Sequence, residues 1–418
     1  MPELVRRSSE GSRGVSTELR RARNAVVVAF AVNGLAFASF ISRTPAIADG
    51  LGLSTSQLAL MLLCLSAGSV AGLPLAGPLV ARLGPARSVL VAALTETVGL
   101  ASLATGLLTG TVWPAALGLV VTGLGTGVWD VAMNVAGAEV EQRRGRTLMP
   151  RLHAAFSIGT VTGAGLGALT AATGVPLAAQ ILGVVVLIPV VMTVTVRGFL
   201  PSTPVPTRAE GGPGVLAAWR EPRTLLIGVL VLGFAFTEGS ANDWIAYALV
   251  EGYGSSETVG AVAFGVFVTA MTVGRTFGGS LLERFGRVVV LRAAAGLALV
   301  GLLLVLVGGS VPVALAGALL WGLGASLGFP VGMSAAADDP AHAAARVSVV
   351  SSVGYTAFLA GPPLIGLLAE GSGILRALFV VLGALLVGLL ATGAARPVAT
   401  GTTRTPAEPA RRGGSPQA

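Results

Sequence analysis

Gly77-Pro-Leu-Val-Ala-Arg-Leu-Gly84 recurs 202 residues later as Gly279-Ser-Leu-Leu-Glu-Arg-Phe-Gly286. Gly123-Leu-Gly125 recurs as Gly322-Leu-Gly324, a shift of 199. The first motif follows the second apolar run of its half, and the second motif lies inside the fourth. Two motifs at nearly one offset mark the chain as a duplicated unit.

The units are made of membrane-spanning helices. A span needs ~20 mostly apolar residues, and twelve stretches meet that need. They are 24–42, 57–79, 88–108, 111–138, 150–172 and 176–196 in the first half. In the second they are 224–250, 258–281, 288–308, 311–336, 344–369 and 373–394. The reading is an all-α integral membrane protein with twelve transmembrane helices in two six-helix bundles. Residues 1–23 read as a basic cytoplasmic tail, 24–196 as the first bundle and 197–223 as a cytoplasmic linker. Residues 224–394 form the second bundle and 395–418 a cytoplasmic tail. The linker carries Pro201, Pro204, Pro206, Gly211, Gly212, Pro213 and Gly214, a composition that disfavours regular structure. Its end, Val215 to Arg220, fits a short interfacial helix with Trp219 at the headgroup level.

The arginines support this count. All 27 basic residues are Arg. With a cytoplasmic N-terminus, 24 of them fall on the cytoplasmic side, Arg43 and Arg376 fall outside, and Arg275 lies within a helix. Such a bias follows the positive-inside rule and places both termini in the cytoplasm of a plasma-membrane protein. Arginines before the first run resemble a signal peptide, but the run is too long for an h-region and no clear cleavage site follows.

Composition narrows the function. Hydrophobic residues make up 53% of the chain and charged residues 11%, against about 25% charged in soluble domains. The net charge of +8 forms no basic patch interleaved with aromatics, so nucleic acid is not an expected partner. One cysteine, Cys64, and two histidines make neither an intramolecular disulfide nor a metal site. No nucleophile–base–orienter set or cofactor loop is recognisable. The expected partners are a small solute, protons and the lipid bilayer, with the chain acting as a monomer and without a cofactor.

Four acids, Glu96, Asp130, Glu238 and Asp243, sit inside the spans. Charge at that depth is costly and usually lines a hydrated path or a proton relay. Asp130 and Asn134 are four residues apart on one helix and share a face. Asn134 can bond a solute or hold the carboxyl. Glu238 and Asn242 have the same spacing in the seventh helix, with Asp243 and Trp244 further along. Either Asp243 faces the path, or the helix breaks near Gly239 and leaves it wet. His153, near the start of the fifth helix, has an unperturbed pKa of ~6.5 that suits proton exchange; it equally fits a helix cap or a bond to a carbonyl. Glu96, between Thr95 and Thr97, reads as a local hydrogen bond to a threonine or a neighbouring helix. Arg43 fits an anionic solute group, a pair with an acid such as Asp243, or an interfacial anchor. Arg275 is expected to pair with Glu283 or a carbonyl. Gly159, Gly163 and Gly167 form a small-residue stripe for close helix packing.

The repeated loop resembles the signature loop of the major facilitator superfamily, which reads approximately G-x-L-a-D-r-x-G-r. The second copy supplies Gly279, Leu281, Glu283, Arg284, Gly286 and Arg287. The first keeps Gly77, Leu79, Arg82 and Gly84 but has Ala81 for the acid and Pro85 for the following base. In the family this loop latches the cytoplasmic gate, which implies a weaker latch in the first half. Trp129-Asp-Val-Ala-Met-Asn134 and the stretch Met149 to Gly159 are similar to the branch containing fucose–proton symporters. There an acid followed four residues later by Asn serves protonation and sugar recognition, which matches Asp130 and Asn134. That branch also uses an acid on the first helix, where this chain has only Asn33. The resemblance implies a secondary transporter working by alternating access. Asp130, Glu238 and His153 are expected to couple protons. Asn33, Arg43, Trp129, Asn134, Asn242, Asp243 and Trp244 are expected at the solute, although Trp129 reads as packing unless the solute is a sugar or aromatic. Symport of a small polar solute, antiport export of a hydrophobic metabolite or drug, and a non-transporting sensor are the readings left open.

Overall fold

A computed structural model describes residues 2–145, 148–201, 217–339 and 342–397, and the described residues hold helices and turns but no strand. The first half contains α1 (Pro2–Ile41), the short α2 (Thr44–Leu51), α3 (Thr55–Thr109), α4 (Val112–Arg144), α5 (Met149–Ala172) and α6 (Leu177–Thr195). The second contains α7 (Pro222–Tyr253), α8 (Glu257–Phe285), α9 (Arg287–Val307), α10 (Val311–Ala325), α11 (Gly328–Ala336), α12 (Ala343–Ser372), α13 (Ile374–Ala377) and α14 (Phe379–Ala391).

Eleven helical stretches among the described residues are long and apolar enough to cross a membrane. The twelfth span is inside α3. Its 55 residues would reach about 80 Å if straight, against a hydrocarbon core of about 30 Å. The chain instead turns at Gly84, where φ is 77° and ψ is 162°. That region is essentially open to glycine alone. Both segments of α3 then pack on α4: Gly123 meets Leu65 and Gly125 meets Glu96. Gly286, the repeat partner of Gly84, has φ 77° and ψ 159° and separates α8 from α9. Gly52 and Gly254, Gly110 and Gly309, and Gly174 and Gly373 also pair as positive-φ turns across the two halves. The duplication therefore extends to the backbone turns.

Within the first bundle α1 lies directly on α5. A methyl group at Gly159 would collide with the Ala31 carbonyl oxygen, and one at Gly167 would collide with Ser42 Oγ. The stripe expected from sequence is thus the surface on which α1 rests, and only hydrogen side chains permit that approach. The halves meet where α5 contacts α8 and where α3 contacts α12.

Several boundaries differ from the sequence reading. α1 runs back to Pro2, so residues 2–23, expected as part of a tail, continue the first helix; Glu18, Leu19, Arg20, Arg21, Ala22 and Arg23 are all good helix formers. α7 is continuous through Gly239, which removes the expected alternative of a break there. The break lies elsewhere, at Ser326 and Leu327 between α10 and α11. Beyond it Gly328 sits so close to the Phe234 ring that a methyl group would overlap the ring. The last span is interrupted at Leu378, between α13 and α14. Most of the expected linker and nearly all of the expected C-terminal tail lie outside the described residues. So does the start of the Val215–Arg220 segment, although Trp219 is exposed.

Candidate binding site between the two bundles

Asp130 and Asn134 are on α4, and the Asn134 amide donates to the Asp130 carbonyl at 2.8 Å and to its Oδ1 at 3.3 Å. Asn134 therefore steadies the carboxyl while Oδ2 stays free. Asp130 is exposed, and it lies within electrostatic reach of Tyr355 on α12 of the opposite half.

The second half answers with a charged pair. Arg275 Nη2 donates to both oxygens of Glu238 at 2.9 Å. Its Nε donates to the Ser326 carbonyl at 3.2 Å, an acceptor freed by the break between α10 and α11. Arg275 Nη1 makes no hydrogen bond with any described residue, and the side chain is 35% exposed. The expected Glu283 partner is wrong for a geometric reason: eight residues along one helix rise about 12 Å, beyond a side-chain contact. The carbonyl alternative is realised at Ser326.

His153 on α5 is open, packs edge-on to Phe30 at 5.3 Å between ring centroids, and lies within electrostatic reach of Arg275. Asp130 with Tyr355, and His153 with Arg275 and Glu238, thus form two groups that each join residues of both halves. Asn242 and Asp243 are partly open, and neither hydrogen-bonds to a described residue.

Other expected site residues are elsewhere. Trp129 and Trp244 are fully buried, each 0% exposed, and Trp244 packs edge-on to Tyr247. They are packing residues here because indole rings fill the bundle core, which corrects the expectation of solute contact. Asn33 is 2% exposed, and its amide nitrogen has no partner among the described residues. Glu96 is fully buried and accepts from the Thr126 hydroxyl on α4 at 3.2 Å, the local bond expected for it.

Arg43 does not meet Asp243. Its Nη2 donates to Glu257 Oε2 at 2.9 Å, and its Nε to Oε1. Nη1 donates to the Val175 carbonyl at 2.8 Å and to Gln180 Oε1 at 3.1 Å. Arg43 is 4% exposed, so its guanidinium is buried against protein groups in the state described. Two further links join the halves at this end: Thr55 with Tyr247 at 2.9 Å, and the Ser56 amide to Glu370 at 2.9 Å. The hydrogen bonds between the halves among the described residues all gather here. At the opposite, arginine-rich end the ion pairs stay within one half. There Asp338 joins Arg223 at 2.8 Å and Arg287 at 2.6 Å, and Glu221 joins Arg346 at 2.6 Å.

The signature loops also differ between the halves. Arg287 binds Asp338, and Arg284 lies 5.2 Å from the centre of the Phe285 ring. Arg82 has no hydrogen bond or ion pair with a described residue. Sequence reading missed Tyr355, Tyr247, Gln180, Glu257 and Glu370. One signal was available: the chain has only three tyrosines, and a hydroxyl inside a span needs a partner.

A sequence profile described as Major Facilitator Superfamily matches residues 26–248 and 241–416. An uncharacterized MFS-type transporter of Yersinia pestis is 31% identical over 378 residues, covering 89% of this chain and 94% of the relative. An uncharacterized transporter of Sinorhizobium fredii is 31% identical over 375 residues, covering 88% and 96%. Among solved structures, a point mutant of the nucleoside transporter NupG aligns with a TM-score of 0.74 at 13% identity, over 90% of this chain and 99% of NupG. FucP, a Major Facilitator Superfamily transporter in the outward conformation, aligns at 0.61 and 14% identity, over 90% and 99%. At these identities the structures speak for the fold, and the profile and the relatives for the family: the chain belongs to the major facilitator superfamily.

Proposed function

We propose that this carrier moves a small polar solute by proton-coupled symport, with alternating access about the space between Asp130 and the Glu238–Arg275 pair. The observation that carries the reading is Asp130: an exposed carboxyl within a span, in electrostatic reach of Tyr355 of the other half, with one oxygen held by Asn134 and the other free. Such a group can take a proton from water in the space and, when neutral, accompany a solute through a change of state. Coupling requires that the loaded and empty forms favour different conformations. An ionised Asp130 resists enclosure, whereas a protonated one does not. Glu238 is a second proton acceptor that acts when its bond to Arg275 opens, and His153 is within electrostatic reach of that arginine. Asn134, Asn242, Asp243 and Arg275 Nη1 offer polar contacts to the solute.

The state described has its inter-half bonds at the Arg43 end. With 24 arginines assigned to the cytoplasmic side, that end faces outward, both termini are cytoplasmic, and the access path opens inward. The carrier works in the plasma membrane as a monomer. A second reading, antiport export of a hydrophobic compound, is favoured by the apolar cavity of about 460 Å³ along the seam of α5, α8 and α10, lined by Val161, Ala164, Val262 and Val266.

The two readings separate in proteoliposomes holding an imposed pH gradient, tested with a panel of monosaccharides, nucleosides and hydrophobic amines. Symport requires that a polar solute accumulate in the direction of proton flow. Accumulation of a hydrophobic amine against the proton flow, with no polar solute moved, overturns it in favour of antiport.

A further inference from the structure

We propose that the face of α3 and α4 at the arginine-rich end is a binding site for one anionic phospholipid, with its phosphate on Arg82. A cavity of about 350 Å³ opens there, lined by Leu75, Leu79, Val91, Leu124 and Val128 and bounded by Arg82. Leu75 and Val91 are exposed on its walls. Thr95, its hydroxyl lining group, is already spent on the Val91 carbonyl at 2.9 Å. The groove is therefore apolar along its length and cationic at one end.

The repeat supplies the argument for the charge. In the second copy of the loop Glu283 precedes Arg284, Arg284 lies over Phe285, and Arg287 binds Asp338. In the first copy Ala81, Leu83 and Pro85 occupy the positions of Glu283, Phe285 and Arg287, so the acid, the ring and the second base are all missing. Arg82 is left exposed, without a hydrogen bond or ion pair to a described residue. An arginine at the edge of a membrane span attracts anionic headgroups, and a guanidinium binds phosphate oxygens in a fork. The groove beside it takes an acyl chain. A phospholipid carries both parts in this spacing, headgroup outside and chain within, and it replaces the counter-charge that the second half builds from its own residues.

Native mass spectrometry of the full-length protein in detergent tests this, with phosphatidylglycerol and phosphatidylcholine of matched chains added in equal amounts. The wild type is expected to retain one phosphatidylglycerol in preference to phosphatidylcholine. Arg82→Gln is expected to lower that retention about fivefold, the effect of about one basic residue at a membrane surface. Leu79→Trp, which fills the groove and keeps the arginine, is expected to lower retention of both lipids, while Arg284→Gln leaves it unchanged. Elution volume on size exclusion reports whether each variant is folded. Equal retention of the two lipids by the wild type overturns the proposal. So does unchanged retention in both Arg82→Gln and Leu79→Trp, or displacement of phosphatidylglycerol by inorganic phosphate alone, which would mean an anion site without a lipid.

Discussion

The two halves of this carrier share a backbone and differ in chemistry. Turn glycines repeat in pairs, down to matching torsions at Gly84 and Gly286. Helix contacts repeat too: Gly118 rests on Gly99, and Gly317 on Gly301. The charged groups inside the spans do not. Arg275 and Glu238 have Leu73 and Ala36 at the repeat offset of 202, and Glu96 has Ala298. Asp130 corresponds to Phe329 at the offset of 199. Duplication thus supplied two matched frames, while each frame acquired its own polar groups. On the function proposed above, a symmetric scaffold lets the halves rock, and an asymmetric set of polar groups would give the two faces of the solute different partners.

The largest expected effect tests whether the Glu238–Arg275 pair is chemistry added to a frame that stands without it. Arg275→Leu alone strands a carboxylate and is expected to cost about 3 kcal/mol, at the low end for breaking a buried pair because Arg275 is partly open. The double change Arg275→Leu with Glu238→Ala, which copies the first half, is expected to recover most of that stability while transport stays lost. Thermal unfolding in detergent together with proteoliposome uptake reads both. A double variant no more stable than the single one would mean that the pair is part of the frame.

Next come the latches. Asp338 holds two arginines, whereas Glu139, its repeat partner, holds only Arg143 four residues along its own helix. Asp338→Asn is expected to cost about 2 kcal/mol through two charged hydrogen bonds. Glu139→Gln is expected to cost under about 0.5 kcal/mol, as for other exposed helix pairs. Unfolding midpoints that fall equally would erase this difference between the halves.

The turns are expected to behave alike. Gly84→Ala and Gly286→Ala each force a side chain into a glycine-only region, at about 1–2 kcal/mol. Similar losses in melting temperature support the repeat, and a loss in one variant only would contradict it. The smallest effect is pH dependence at Glu221. The bonds that Arg346 and then Thr224 make to Glu221 hold its carboxyl below the ordinary value of 4.5. A depressed folded-state pKa means stability that is present above that value and is lost as pH falls through the lowered one. Glu221→Gln is therefore expected to flatten the acid limb of the stability profile below about pH 4.5, slightly, because the side chain is 32% exposed. The limb should stay as steep as in the wild type if this pair contributes nothing.

Much of the fold was legible in the sequence because its signals are local. Run length, arginine placement and recurring glycines each report on a short stretch, and the lipid environment makes each of them strict. The first-half departure at Ala81 and Pro85 was legible for the same reason. Asp130 and Asn134 could be placed on one face because they share a helix. What depended on two helices was not legible. Arg275 and Glu238 are 37 residues apart in different spans, and no spacing rule links them. Arg43 meets Glu257 across 214 residues: a pair with an acid of the other half was among its readings, but no spacing rule singles out Glu257 over Asp243. Trp129 and Trp244 look the same in sequence whether a ring faces a cavity or fills a core. Only the packing decides, and it buries both.

The central claim is that Asp130 carries the proton whose binding lets the loaded carrier change state. It is tested most directly by comparing uphill accumulation with solute exchange in wild-type and Asp130→Asn proteoliposomes, using the solute that the panel identifies. The account expects Asp130→Asn to keep exchange and to lose gradient-driven accumulation by about two orders of magnitude, the scale for removing a positioned proton-transfer group. Accumulation by Asp130→Asn at the wild-type level would contradict it.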